Sequence, residues 1–261
     1  MILVNERADY SALGLGKMFA PATSETNTMI DRYSKGTKEQ SEALALFFEE
    51  IGATIKNKLV ALILPIFSSN WEEALINALT GEKIQSGDVR EGQSYYLNME
   101  FSNTYKSLGC SGNISQYINF QIPANIYQLG IAAIVSSTYP FMLQYGKVYV
   151  RNDNFGINYK KFVGILYTNA TAEGSVLSKF GDEAEYTGYS PEITTASGTE
   201  YSMWFGSSTS DNPLYNYHDG DGVRILAAGV GLTADEMKTL RAAILHLDSQ
   251  YFNDDAFPAR V

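Results

Sequence analysis

The sequence is poor in the residues that build cross-linked or reactive sites. Its 261 residues contain one cysteine and two histidines. Because Cys110 stands alone, an intrachain disulfide is excluded, and the fold does not depend on an oxidising compartment. A catalytic triad or a zinc site would need partners for His218 or His246, and a surface or helix-end residue is the favoured interpretation of each. We therefore expect no enzyme, no cofactor and no metal centre built on these residues.

Positive charge and long apolar runs are also scarce. The chain has 19 Lys and Arg against 29 Asp and Glu, a formal net charge of −10. Nucleic-acid binding requires clustered Lys and Arg, so we expect no nucleic-acid partner. The longest apolar run, at 59–67, is far shorter than the roughly 20 residues of a membrane-spanning helix. The opening residues show no signal-peptide pattern, and we expect no membrane insertion.

Two groups of acidic residues leave narrower alternatives open. Glu183 and Glu185 would share one face of a strand, and glycoside hydrolases use two neighbouring carboxylates. The E-x-D-x-x-E pattern of sandwich glycosidases is absent, so a solvated strand face is the favoured interpretation. Asp219 and Asp221, with Asp211 nearby, could supply oxygen ligands to calcium. A hairpin turn is favoured there because no complete ligand loop is present.

Tyrosine, phenylalanine and glycine are abundant, and this composition favours strands and turns. The chain contains 18 Tyr, 13 Phe and 22 Gly. From about residue 84 the apolar residues follow strand spacing, with strands predicted at 95–101, 114–122, 126–136, 141–151, 158–168, 176–180, 183–189, 201–206, 214–218 and 223–228. About ten short strands without intervening helices predict a mainly β fold, an antiparallel two-sheet β-sandwich.

Three capping-box patterns predict helices outside this strand region. Thr37 and Gln40 predict a helix over 38–57, in which Gly52 weakens the helix without needing to break it. Thr233 and Glu236 predict a closing helix over 234–250. A third pattern, at 69–72, predicts a short helix that continues to about residue 79. We therefore divide the chain into an extended docking arm (1–36), a helical segment (37–83) and a β-sandwich domain with a C-terminal helix (84–261).

The arm at 1–36 has no clear periodicity, and its polar stretch 23–28 fits neither helix nor strand. It nevertheless carries scattered apolar residues that a plain linker would lack. These anchors are Ile2, Leu3, Val4, Leu13, Leu15, Met18 and Phe19. Because the arm cannot bury them alone, we expect it to become ordered on a partner.

The segment 219–245 joins a turn, a strand and a capped helix through the run Gly-Leu-Thr-Ala-Asp-Glu at 231–236. It resembles the carboxy-terminal segment of concanavalin A-like (laminin G-like) virion proteins of tailed bacteriophages. In that group a last strand runs through G-L-T-x-x-E into a closing helix. Segments 9–17, 58–67 and 259–261 resemble other parts of the same proteins. The resemblance implies a concanavalin A-like jelly roll and a structural setting, and it assigns no chemistry to any residue.

Three classes of function follow from these observations. The first is a virion structural protein (tail fibre, baseplate or head decoration) that docks on other virion proteins through its arm and is assembled in the bacterial cytoplasm. By analogy with such proteins it would form a homo-oligomer, a trimer. The second is a lectin-like module that attaches to host-surface glycan through aromatic residues such as Trp71, Trp204 and Tyr201. The third, least favoured, is a glycoside hydrolase.

Overall fold

The computed structural model describes residues 20–88, 99–104, 106–110, 116–121, 128–136, 142–145, 148–151, 162–171, 174–180, 185–189, 200–205 and 222–251, with side-chain detail for 20–84, 101–104, 106–108 and 223–251. The helices are α1 (Ser24–Ile30), α2 (Lys38–Lys56), α3 (Trp71–Ala74) and α4 (Ala234–Ser249). The strands are β1 (Leu59–Ile63), β2 (Gln85–Asp88), β3 (Met99–Ser102), β4 (Ser107–Cys110), β5 (Gln116–Gln121), β6 (Gln128–Ser136), β7 (Met142–Tyr145), β8 (Val148–Arg151), β9 (Phe162–Thr171), β10 (Gly174–Phe180), β11 (Glu185–Tyr189), β12 (Glu200–Phe205) and β13 (Gly222–Val230).

The strands form two antiparallel sheets. The larger has the order β11-β10-β9-β6-β13-β4-β3, with β1 also paired to β13, and the smaller has the order β2-β5-β12-β7-β8. Every strand pair in the described residues is antiparallel. The prediction of a mainly β, antiparallel fold with flanking helices is confirmed. The stacking of the two sheets as one sandwich stays a prediction.

Strand β13 is the centre of the larger sheet, and both of its faces are buried. One edge pairs with β6 along its whole length, while the other pairs first with β4 at Val223 and then with β1. Ile225 and Ala227 pack into the core formed with the helices. Leu226 and Ala228 alternate with them and are also fully buried. From Ile225 to Ala228 the strand is a continuous apolar run, since neither face meets solvent there.

The helices share one apolar core with β1 and β13. The predicted stripe on the closing helix is confirmed, because Met237, Leu240, Ile244 and Leu247 are all buried in this core. Helix α4 packs against α2 and lies across β6, β9 and β13. The other members are Met29, Ile30, Tyr33, Ala43, Leu44, Phe47, Phe48, Ile51, Ile55, Leu59, Leu62, Leu64, Ile66, Phe67, Ala78, Ile225, Ala227, Leu232 and Ala243.

Two of the three predicted capping boxes are confirmed. The Thr37 hydroxyl accepts from the Gln40 amide and the Gln40 side chain accepts from the Thr37 amide, and α2 begins at Lys38. Thr233 and Glu236 form the same reciprocal pair at the start of α4. Gly52 does more than weaken α2. Its φ of 69° and ψ of 166° interrupt the helical backbone near the end of the helix.

The third box is wrong in its details. Asn70, and not Ser69, caps α3, while the Glu73 carboxylate reaches back to the Ser69 amide and hydroxyl. The helix ends at Ala74 and does not continue to residue 79. The chain instead runs beside β1, where the buried Asn77 side chain bonds the backbone of Leu62, Leu79 and Val60. The bonds to Leu62 and Val60 satisfy a backbone amide and a backbone carbonyl of β1.

Two further segments differ from their predicted form. The polar stretch 23–28 was expected to lack secondary structure, yet it forms most of α1, where Thr23 and Thr26 cap one another reciprocally. Met29 and Ile30 at the end of α1 are buried in the shared core. The predicted strand 141–151 is a hairpin, in which β7 and β8 pair with each other. The sequence signal that the prediction overlooked is the pair Gly146-Lys147, which interrupts the apolar and aromatic residues between the two strands.

Candidate ligand-binding face

The five-stranded sheet has two faces of different composition. Residues that pair directly across strands lie on the same face, and successive residues of a strand alternate between faces. One set, the apolar face, comprises Ser86, Asp88, Gln116, Ile118, Phe120, Leu143, Tyr145, Val148, Val150, Tyr201, Met203 and Phe205. The other set, the polar face, comprises Gln85, Gly87, Tyr117, Asn119, Gln121, Met142, Gln144, Tyr149, Arg151, Glu200, Ser202 and Trp204.

Two complete rows of residues cross the polar face at right angles to the strands. We name the first the hydrogen-bonding row, and it contains Gln85, Asn119, Ser202, Gln144 and Tyr149 in strand order β2-β5-β12-β7-β8. We name the second the aromatic row, and it contains Gly87, Tyr117, Trp204, Met142 and Arg151 in the same order. The register therefore sets a line of hydrogen-bonding residues beside a line that has Tyr117 and Trp204 near its centre.

Two of the three aromatic residues predicted from sequence to contact glycan, Trp204 and Tyr201, lie on different faces of this sheet. Trp204 belongs to the aromatic row of the polar face. Tyr201 is three positions away on β12 and shares a row with Phe120 and Tyr145 on the apolar face. One surface therefore cannot use both. Sequence reasoning missed Tyr117, which pairs directly with Trp204 although 87 positions separate them.

Trp71, at the start of α3, is a separate exposed aromatic residue. Its exposed fraction is 44%, and among the side chains that the structure describes no other large apolar one is exposed. The Lys83 ammonium lies 6.0 Å from the centroid of its indole ring and 3.3 Å from the Glu72 carboxylate. Helix α3 packs beside β3 and β4, so Trp71 belongs to the larger sheet's side of the fold.

Glu73, two positions after this tryptophan, is already engaged within the fold. The Glu73 carboxylate accepts from the Ser34 amide at 3.2 Å and from the Ser69 amide and hydroxyl at 2.8 Å. Burial raises the pKa of Glu73, but the hydrogen bonds from Ser34 and Ser69 outweigh it and hold the pKa below its usual value. Glu73 therefore joins α3 to the loop before α2 and is not poised for proton transfer.

The residues considered for chemistry do not assemble into a catalytic or metal site in the part of the chain that is described. His246 Nδ1 lies 2.5 Å from a Glu50 carboxylate oxygen and links α4 to α2 at the surface. Glu185 begins β11 opposite Phe180, and Cys110 ends β4 opposite Met99. The described side chains contain no group of three or more His, Cys, Asp or Glu that could hold a metal ion.

Several predicted sites lie outside the described residues. They are Glu183, the acidic residues Asp211, Asp219 and Asp221, His218, and all seven arm anchors. Of the helices described, none combines the length and the apolar character needed to cross a membrane.

Comparison with known proteins gives only remote likenesses. No protein-family model matches the chain, and no curated protein matches it. A crystal structure of the botulinum neurotoxin serotype D binding domain is similar with 11% identity and a TM-score of 0.40, covering 72% of this chain and 52% of that one. The receptor binding domain of botulinum neurotoxin D is similar with 10% identity and a TM-score of 0.39, covering 75% and 54%.

A sialidase is similar with 14% identity and a TM-score of 0.27, covering 50% of this chain and 16% of that one. The chain spans about half the length of the toxin domains that it matches. These likenesses do not identify a family.

Proposed function

We propose that this chain is a lectin-like module that binds glycan through the polar face of its five-stranded sheet. The observation that carries the proposal is the register, which sets the hydrogen-bonding row beside an aromatic row containing Tyr117 and Trp204. Aromatic rings offer an apolar surface to the C–H face of a sugar, while amides and hydroxyls both donate to and accept from its hydroxyl groups. The two rows together supply both kinds of contact.

The proposed fold leaves this face open to a ligand. We propose that the apolar face of the five-stranded sheet covers the larger sheet on the side opposite the helices. Two observations support this stacking: Leu226 and Ala228 are fully buried on that side of β13, and the smaller sheet has one face rich in apolar residues. Antiparallel sheets commonly bury one face and solvate the other. Burying the amides of the polar face without partners would be costly.

The module binds its glycan without cleaving it. Among the residues placed on the polar face, Glu200 is the sole carboxylate. Glycoside hydrolysis generally needs a second carboxyl group within about 5–9.5 Å. The face therefore holds a saccharide but does not supply the acid and base that hydrolysis requires.

The test compares the two tryptophans of the chain, which provide matched substitutions. A glycan array identifies a ligand, and titration calorimetry then compares Trp204→Ala with Trp71→Ala. Losing an aromatic contact worth about 1.5 kcal/mol weakens binding by roughly tenfold. We expect this loss for Trp204→Ala, with an unchanged melting temperature, and no loss for Trp71→Ala. If no glycan binds, or if both variants bind as the parent does, the proposal is wrong.

A second proposal concerns the setting of the module: a display subunit of a tailed-phage virion. The observation that favours it is the resemblance of segment 219–245, whose described part forms the central strand β13 and the closing helix α4. In this setting the part of the arm that carries the seven anchors, residues 1–19, docks on other virion proteins or on a neighbouring copy, as a homotrimer by analogy. The later part of the arm packs instead into the chain's own core, where Met29, Ile30 and Tyr33 are buried. The sheet then faces outward for attachment to the host. Electron microscopy of particles labelled on this chain tests the setting.

A further inference from the structure

The charged residues of the polar face balance to zero net charge, although the protein as a whole is acidic. Glu200 and Arg151 are the two charged residues placed on it, and they lie on different strands and in different rows. Their opposite charges cancel, whereas the whole chain has a formal net charge of −10. Four carboxamides make up much of the remainder, namely Gln85, Asn119, Gln121 and Gln144.

This charge balance distinguishes between classes of glycan. An acidic polysaccharide would meet one guanidinium at the edge strand β8 and one carboxylate on the central strand β12. Recognition of carboxylate or phosphate groups uses Arg in paired geometry and in clusters, which this face lacks among its described positions. Carboxamides and hydroxyls both donate and accept hydrogen bonds, and this suits the uncharged hydroxyl and acetamido groups of a glycan.

The rows also indicate how an extended ligand would lie. Neighbouring strands are about 4.8 Å apart, so a row across five strands is about 19 Å long. A ligand lying across the strands meets a hydrogen-bonding residue on every strand and keeps Tyr117 and Trp204 along one flank. A ligand lying along β12 would meet Glu200, Ser202 and Trp204 in turn. It would therefore contact only one residue of the hydrogen-bonding row and one residue of the aromatic row.

The ends of the aromatic row differ. Gly87 occupies the β2 position next to Tyr117, and Arg151 occupies the β8 position next to Met142. Glycine within a strand often marks a site where a ligand approaches the backbone closely. We therefore expect a ligand to approach the backbone most closely at the β2 end of the row.

We infer that the ligand of this face is an uncharged, extended polysaccharide that lies across the five strands. It lies over the hydrogen-bonding row, with one flank against Tyr117 and Trp204. The inference rests on the proposed glycan-binding function and narrows it to a class of ligand and a direction. Two properties follow: affinity that is insensitive to salt, and affinity that rises with oligosaccharide length until the ligand spans the sheet.

The experiment uses the full chain and length series of uncharged and acidic oligosaccharides chosen from the array, titrated at low and high salt. We expect the uncharged series to bind with a Kd that changes less than about twofold between 0.05 and 0.5 M NaCl, since no ion pair is screened. The salt dependence of this Kd should be the same in Arg151→Ala, because the guanidinium forms no ion pair with an uncharged ligand. An acidic series that binds more tightly, weakens with salt and loses affinity in Arg151→Ala would overturn the inference while leaving glycan binding intact.

Two further variants test the direction. Gln144→Ala, near the middle of the hydrogen-bonding row, should weaken short and long oligosaccharides alike, by about 2- to 10-fold for one lost hydrogen bond. Gln85→Ala, at the β2 end of that row, should weaken only those long enough to reach β2. Equal losses at every length in both variants would exclude a ligand lying across the strands. If no oligosaccharide binds the parent chain, the proposed function itself fails, which separates the two outcomes.

Discussion

Arg224 and Asp248 form a buried ion pair between the central strand and the last turn of α4. Their side chains are 0% and 3% exposed, and two N···O distances of 2.9 Å join the guanidinium to both carboxylate oxygens. Burial lowers the pKa of Arg224 to about 10, although the Asp248 carboxylate favours the charged form. Arg224 lies where the pairing of β13 with β6 shifts register. Its charged side chain interrupts the otherwise apolar sequence of the strand.

The first prediction concerns this pair. Asp248→Ala leaves a buried guanidinium without its carboxylate and should cost about 3–5 kcal/mol of unfolding free energy. Replacing both residues, as Arg224→Met with Asp248→Leu, should be neutral or stabilising by up to about 4 kcal/mol. Urea denaturation measures both. The exposed Lys83–Glu72 pair is the control, where Lys83→Ala should cost less than about 1 kcal/mol. If Asp248→Ala lowered the free energy of unfolding as little as Lys83→Ala does, Arg224 and Asp248 would not form a buried ion pair.

A second prediction concerns pH and Glu236. Burial raises the pKa of Glu236, but hydrogen bonds from Lys58, at 2.6 and 2.7 Å, and from Thr233 outweigh it, so the pKa lies below its usual 4.5. A carboxylate with a depressed folded pKa contributes stability above its unfolded pKa and loses it as pH falls through the folded pKa. Glu236→Gln should therefore be less stable than the parent near pH 7. The difference should begin to shrink as the pH falls below about 4.5 and should disappear only below the lower pKa of the folded state.

Urea midpoints measured from pH 7 to pH 3 test this dependence. Glu72→Gln, in the exposed pair with Lys83, is the matched control and should differ little from the parent at any pH. A Glu236→Gln deficit that persists unchanged at pH 3 would assign the effect to packing or capping instead of charge.

At the scale of single elements, features decided within a few residues were predicted well. The boxes at Thr37 and Thr233 were found because each needs only two side chains three positions apart. Helix α1 was missed because its cap is made by two threonines and its buried residues, Met29 and Ile30, stand together at its end. Strand β1 was missed because its pairing partner β13 lies more than 150 positions away. Neither partner's own sequence shows the pairing.

The third prediction concerns the closing helix. Truncation after Gly231 removes Met237, Leu240, Ile244 and Leu247 from the shared core. Each such burial is worth about 1.5–3 kcal/mol, and a typical domain is stable by about 5–15 kcal/mol. The truncated chain should therefore be insoluble or molten, as seen by loss of near-ultraviolet circular dichroism. Lys238→Ala, on the exposed side of the same helix, is the control and should melt as the parent does. Cooperative melting of the truncated chain at the parent temperature would show the helix to be peripheral.

At the scale of the whole molecule, the sequence predicted the kinds of element but not how they meet. The strand at 201–206 was predicted, and Trp204 was selected as an aromatic residue that could stack on a sugar. The grouping of Trp204 with Tyr117, and of Ser202 with Asn119 and Gln144, depends on the register between strands far apart in sequence. Sequence alone does not show which residues of distant strands pair, and a shift of one strand by one residue would move its residues to the opposite face. The composition of the polar face is therefore a property of the assembled sheet.

The structure limits the predicted docking arm to a shorter segment at the amino terminus. Residues 20–36 pack with the helices: Met29, Ile30 and Tyr33 are buried in the shared core, and the Arg32 guanidinium donates to the Ala78 carbonyl. The seven predicted anchors precede this segment, at 2–19. Deletion of the anchors alone therefore separates the arm's proposed role in assembly from the stability of the fold.

The last prediction compares two deletions. Removing residues 2–36 deletes three buried core side chains, worth about 1.5–3 kcal/mol each, and should lower the melting temperature substantially. Removing residues 2–19 should leave the melting temperature unchanged while abolishing incorporation into particles and self-association, measured by light scattering after size exclusion. A matched chain in which Leu13 and Leu15 are changed to Ser keeps the length and should reproduce the assembly defect. Normal incorporation and association of the shorter deletion would assign assembly to the folded part of the chain, because the arm's anchors would then be dispensable.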